Sequence, residues 1–239
     1  MQPKQLYALY QELISTARLE LIYSGSAPQR RVEQALLSAL AALPREQVRD
    51  IALYRPHPAR QEVLRVEESL DVTQGKLGMG FACGSDDYAA MMVGNTLFGG
   101  SSNSKLFMNV REKLSLCYYA SSLYHRQKRL ITVSSGIEFQ NFQRAYDEIL
   151  AQLEAVKNGK LEDWEMEGAQ STLLNAYASM EDSQGKLENF YLGQAATGQS
   201  ETPEELADQV REVTGERVHR AMETVRLDTV YFLRGEEAQ

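Results

Sequence analysis

The chain is 239 residues long and 43% hydrophobic, with 33 acidic against 25 basic side chains and a formal net charge of −8. That charge argues against nucleic acid or an anionic membrane as a main partner. No run approaches the roughly 18 consecutive apolar residues of a membrane helix, and residues 1–5 lack the basic-then-apolar start of a secretory signal, so the expected compartment is the cytoplasm.

Residues 5–14 predict a helix with Leu6, Leu9, Tyr10 and Leu13 on one face, and residues 19–23 predict a strand closed by Gly25. A second helix over 27–43 has Val32, Leu36, Leu37, Leu40 and Leu43 as its stripe, and Pro44 stops it. Residues 56–60, with Pro58 inside, read as a hinge or linker, which divides the chain into a 1–59 piece and a 60–239 domain. Strands follow near 62–67 and 75–83. Asp86 or Ser85 then caps a helix carrying Ala89, Met92, Val93, Thr96 and Leu97.

Beyond it come a Gly99-Gly100 turn, a short helix with Leu106, Phe107 and Val110 that Asn103 or Ser104 can cap, and two strands over 117–124 and 130–137. Helical stretches over 142–157, 161–179, 183–196, 203–211 and 216–225 precede a last strand over 229–233. Neighbouring strands with helices bunched between them predict an α+β two-layer sandwich, a mainly antiparallel sheet covered on one face. The opening helix with Arg18-Leu19-Glu20-Leu21-Ile22-Tyr23-Ser24-Gly25 also echoes the closing helix with Arg226-Leu227-Asp228-Thr229-Val230-Tyr231.

Several motifs exclude more than they assign. The run from Gly94 to Ser101 has the glycine spacing of a phosphate-binding loop, but Gly100 stands where its lysine must be. Glu162, Asp163, Glu165 and Glu167 open a helix, where negative charge suits the dipole. Cys83 and Cys117 sit in apolar, strand-like contexts and read as reduced core thiols. His57, His125 and His219 are far apart in sequence and suit solvated or core roles better than metal ligation.

The block from Gly99 and Gly100 through Ser104-Lys105-Leu106-Phe107 to Arg111-Glu112-Lys113-Leu114-Ser115-Leu116-Cys117-Tyr118 resembles the C-terminal half-domain of the pitrilysin/insulinase zinc peptidases, the inverzincins. The likeness spans roughly 60–235. With Asp86-Asp87-Tyr88, Ser134-Ser135-Gly136-Ile137-Glu138 and the ending Leu227 to Leu233, it narrows to a bacterial subgroup associated with 5-aminopentanol modification of elongation factor P, whose members typically lack the zinc motif. The resemblance implies that Arg111 and Tyr118 point into a peptidase chamber and hold the substrate backbone. Tyr118 and Tyr119 fall on opposite faces of a strand, which puts one in the core and one toward the groove, and the family spacing selects Tyr118 for the groove.

Zinc in this family is held by H-x-x-E-H on a helix, and no such motif occurs here. The resemblance therefore implies a chain that binds no cofactor and carries no catalytic residue of its own. Its expected partners are a zinc-bearing homologous subunit or half and an extended peptide or protein substrate. It also implies two homologous halves, with 1–59 as the end of a preceding one. The rival expectation is a catalytically dead scaffold of the same fold.

Overall fold

The computed structural model describes residues 2–49 and 58–236, so His57 and the first part of the expected hinge lie outside the described residues. The chain divides into two compact units, 1–53 with 180–201 and 54–179 with 202–239. In chain order the helices are α1 (Pro3–Thr16), α2 (Gln29–Leu40), α3 (Tyr88–Asn95), α4 (Phe142–Lys157), α5 (Asp163–Ala178), α6 (Gln184–Thr197), α7 (Pro203–Arg211) and α8 (Gly215–Glu223). A π-wound turn, Thr96–Gly100, and a π-wound helix, Leu106–Lys113, follow α3. The strands are β1 (Leu64–Leu70), β2 (Gly75–Ala82), β3 (Cys117–His125), β4 (Leu130–Ile137) and β5 (Arg226–Gly235).

In the larger unit the strands form one sheet in the order β1-β5-β2-β4-β3. All pairings are antiparallel except β1 with β5. Strand alternation decides which face is covered, because successive side chains point to opposite sides. Leu77, Met79 and Phe81 of β2, Ile131, Val133 and Ile137 of β4, and Val230 and Phe232 of β5 are all buried. They meet a helical layer that buries Met91, Phe98, Leu106, Val110, Ile149 and Met222, with Phe81 edge-on to Phe98 at 6.3 Å between centroids.

On the other face stand Gly78 and Gly80 of β2, Ser134 of β4, and Tyr119, Ser121 and Leu123 of β3, none of them buried. The larger unit thus has the expected α+β two-layer build, and among its described residues no helix covers the second sheet face. β1 and β3 are its edges.

Asp87, rather than Asp86 or Ser85, caps α3: its side chain accepts from the Ala90 N–H at 3.1 Å. Asp86 instead pairs with Arg129. Arg217 of α8 grips the Asp87 carboxylate from two sides, Nε to Oδ2 and Nη2 to Oδ1, each at 3.0 Å. Partial burial works to raise the Asp87 pKa, but the Arg217 and Ala90 hydrogen bonds and the Arg217 and Arg220 charges outweigh it and hold the carboxyl below its ordinary range.

A depressed carboxylate stabilises the fold above its unfolded pKa of about 4, and that contribution is lost as pH falls through the lower folded value. Asp87→Asn should therefore lower stability by about 1 kcal/mol near neutrality, discounted for partial exposure. Melting curves at pH 7 and at pH 2–3 check this: the gap between wild type and variant should close in acid. A gap of constant size would show that the charge does not matter.

The smaller unit is built differently from expectation at one place. Residues 18–24 adopt no strand, although the apolar pattern of 19–23 predicts one. A strand needs a partner for its backbone N–H and C=O groups, and among the described residues none pairs with this segment. α1 and α2 form as predicted, and Arg45 ties the end of α1 down by donating to the Ile14 and Ala17 carbonyls.

Candidate functional site

Why the glycine turn needs glycine follows from what lies above it. A Cβ on Gly99 would sit 2.8 Å from the Ser122 backbone nitrogen and 2.7 Å from both Ser122 Oγ and Leu106 Cδ1. The π-wound turn can lie flat on β3 only without a side chain there. Asn95 and Ser122 lock the contact from within the core: Ser122 Oγ donates to Asn95 Oδ1 at 2.8 Å, and both side chains are buried. Gly100 is held less tightly: its Cβ would be 3.1 Å from Asn95 Nδ2 and 3.2 Å from the Asn95 carbonyl oxygen.

Ser104 then starts the next helix by accepting from the Phe107 N–H at 3.3 Å, which agrees with one of the two caps read from the sequence. Beside it, Lys105 is buried and donates to both oxygens of Glu165, at 2.8 and 3.0 Å. Glu165 also accepts the Glu162 N–H at 2.9 Å and so completes the capping box that begins α5. The acidic cluster at 162–167 thus opens a helix, as its composition implies, and one member has a buried partner that sequence does not reveal.

Arg111 stands in the last turn of the π-wound helix, where the 3.1 Å bond from the Leu114 N–H to the Asn109 carbonyl spans five residues. Wide turns of this kind recur at functional sites. Its guanidinium lies 4.7 Å from the Phe107 ring centroid and 3.6 Å from the Glu112 carboxylate, and the side chain is 41% exposed. Ser115, with φ of 49°, turns the chain left-handed, and buried Leu116 leads into β3.

The sequence expectation for the tyrosine pair needs correction at one point. The ladder runs Cys117 to Ile137 and then Tyr119 to Gly136, so a bulge leaves Tyr118 without a cross-strand partner. That extra residue breaks strict alternation, and neither tyrosine enters the core: Tyr118 is 55% exposed and Tyr119 38%. The Tyr118 hydroxyl points toward Glu138 Oε1 at 3.5 Å. Tyr119 lies over Gly136, whose Cβ would be 2.6 Å from its ring, and Lys76 approaches the ring to 5.3 Å.

The two described histidines have hydrogen-bond partners, and burial holds both cysteine thiols protonated. His125 Nε2 meets Thr132 Oγ1 at 3.1 Å, with its pKa lowered by burial and then by the Lys128 charge. His219 Nδ1 bonds the Lys157 carbonyl. Burial pushes the Cys83 thiol up to about 12 and also raises Cys117, which suits unreactive thiols. Among the described residues no group of three or more His, Cys, Asp and Glu side chains converges to hold a metal ion. No described helix is long and apolar enough to cross a membrane.

Taken together, a two-layer half-domain with a helix-free sheet face, a glycine turn pressed on an edge strand, and an exposed arginine and tyrosine define an inverzincin-type domain lacking the zinc helix motif. The sequence model described as Peptidase M16 inactive domain matches residues 1–173, and the chain belongs to that family. YmfF of Bacillus subtilis, described as a probable inactive metalloprotease, is 36% identical over 241 residues, 98% of this chain and 55% of its own length. YmxG of the same organism, described as an uncharacterized zinc protease, is 24% identical over 173 residues, 70% of this chain and 42% of its own.

Among solved structures, a conserved protein from Enterococcus faecalis superposes with a TM-score of 0.87 at 28% identity, covering 100% of this chain and 57% of that one. The peptidase M16 inactive domain from Pseudomonas fluorescens shares the fold with a TM-score of 0.70 at 21% identity, over 89% of this chain and 53% of that one. The chain spans about half the length of the relatives it matches.

Proposed function

We propose that this chain is the non-catalytic, Arg/Tyr-bearing half of an inverzincin-like zinc metallopeptidase, closing a chamber with a zinc-bearing homologous subunit or half and helping to bind an extended peptide. The observation that carries the reading is the placement of Arg111 and Tyr118. Each is held by backbone features that cost specificity to build, a π-wound turn and a bulge, yet neither side chain is used to cement the core. A guanidinium and a phenol so presented can donate to a peptide carbonyl. β3, an edge of the sheet, offers unpaired backbone groups to an extended chain.

Zinc and its activated water belong, in this reading, to the partner. The purified chain should hold no stoichiometric zinc and cleave no peptide unaided. Elemental analysis beside a peptidase assay tests this, and one tightly bound zinc per chain, or turnover surviving removal of contaminating proteases, would overturn the proposal.

A further inference from the structure

β1 is exposed along its whole length, although every other strand of the sheet has buried residues or pairs closely with one that does. It is bonded to β5 on one side only, so its outward N–H and C=O groups have no ladder partner among the described residues. The register with β5 fixes where its side chains stand. Arg65 and Glu67 lie beside Val230 and Phe232 on the helical face, and Leu64, Val66 and Glu68 beside Thr229, Tyr231 and Leu233 on the open face. Leu64 and Val66 are 41% and 37% exposed.

Charges on an edge strand commonly prevent pairing. The signs on β1 instead suit one particular partner. Two copies related by a two-fold axis normal to the sheet run antiparallel and keep their helical layers on the same side. Because outward backbone groups recur on alternate residues, such a pair must centre on a single residue. Centred on Val66, Arg65 of each copy stands opposite Glu67 of the other, which makes two ion pairs on the helical face. On the open face Val66 meets Val66, with the two Leu64 side chains on the diagonals. Centring on Arg65, Glu67 or Glu68 sets a charge against its own kind, so electrostatics selects the Val66 register.

Both charged groups retain capacity for this pairing. Arg65 uses Nη2 to donate to the Tyr146 hydroxyl at 3.0 Å, and Glu67 uses Oε1 to accept from Arg234 at 3.1 Å. A guanidinium has further donors, and a carboxylate a second oxygen. We infer that β1 is a self-association edge, pairing antiparallel about Val66 with β1 of a second copy of this chain so that two sheets join into one. A seven-residue strand pair is a small interface, and the dimer is expected to be weak, with a dissociation constant on the order of 10 µM. The inference goes beyond the peptidase reading and does not rest on it, because β3 is the opposite edge of the sheet.

Sedimentation of the full chain over a concentration series tests this, beside amide exchange at residues 64–68, which should slow as the dimer fills. Arg65→Glu and Glu67→Arg each set like charges opposite one another at both crossings, and each should weaken the dimer by on the order of 100-fold. Mixed together, the two variants oppose unlike charges at both crossings, and a 1:1 heterodimer about as tight as the wild-type dimer should form. Recovery on mixing is a readout that misfolding does not imitate. Should either variant melt early, Val66→Lys and Val66→Asp repeat the test at an exposed position: each alone monomeric, the mixture paired.

A chain still monomeric well above that concentration, a dimer indifferent to these substitutions, or folded variants that fail to recombine on mixing would each overturn the inference. A monomeric chain leaves the peptidase reading standing. Absence of a zinc-bearing partner leaves the strand pairing standing.

Discussion

Arg111→Ala and Tyr118→Phe, each introduced into a complex reconstituted with the zinc-bearing partner proposed above, are expected to lower peptide turnover by about 100-fold and to leave the chain folded and paired. The size follows from what is removed. A donor aimed at a carbonyl whose oxygen gains charge is worth more in the transition state than in the bound substrate, so its loss falls on kcat more than on KM. The side chains are free to be lost: Arg111 makes a 3.6 Å contact with its own neighbour Glu112, and the Tyr118 hydroxyl reaches Glu138 at a marginal 3.5 Å. Stability should move by no more than about 0.5 kcal/mol. Rate assays beside thermal melts decide the matter, and full activity in both variants would favour the scaffold reading.

The largest expected effect on stability lies one turn away. Lys105→Met should destabilise the larger unit by about 3–5 kcal/mol, because it strands the Glu165 carboxylate in the interior. Both partners of this pair are about nine-tenths removed from solvent, with side-chain exposures of 11% and 10%. The paired state need not be much better than a packed apolar one, since desolvation offsets most of the attraction. Replacing both residues, Lys105→Met with Glu165→Met, should therefore cost clearly less than Lys105→Met alone. Denaturant titrations of the single and double variants measure this coupling. A single-variant loss under about 1 kcal/mol would mean that water reaches the pair and that it contributes no more than a surface bridge.

The parts of the fold legible in the sequence are those where one local signal decides. The alternation of Leu77, Met79 and Phe81 and the apolar stripe of α4 each follow from a period. Where two chemically similar residues compete, composition does not choose: Asp86 and Asp87 are equivalent in sequence, and only Arg217, 130 positions away, selects Asp87. Residues 18–24 show the complementary failure, a strand pattern without a strand, because pairing is not a local property.

The site divides in the same way. Gly99, Gly100, Arg111 and Tyr118 stand out through the likeness of their segment to the family pattern. Lys105 with Glu165 and Asn95 with Ser122 do not, since each joins distant segments and neither pair has a local signature. The exposure of Tyr118 follows from a one-residue bulge that no alternation rule anticipates, since strict alternation would put it with buried Ala120, Ser122 and Tyr124.

Purification of the chain from its source cell under gentle conditions, with native mass spectrometry and zinc analysis of whatever accompanies it, bears on the central claim most directly. The account predicts a 1:1 complex with a homologous chain or half carrying H-x-x-E-H and one zinc, whose peptidase activity disappears when this chain is removed. A preparation without any such zinc-bearing companion, or a companion fully active by itself, would contradict it.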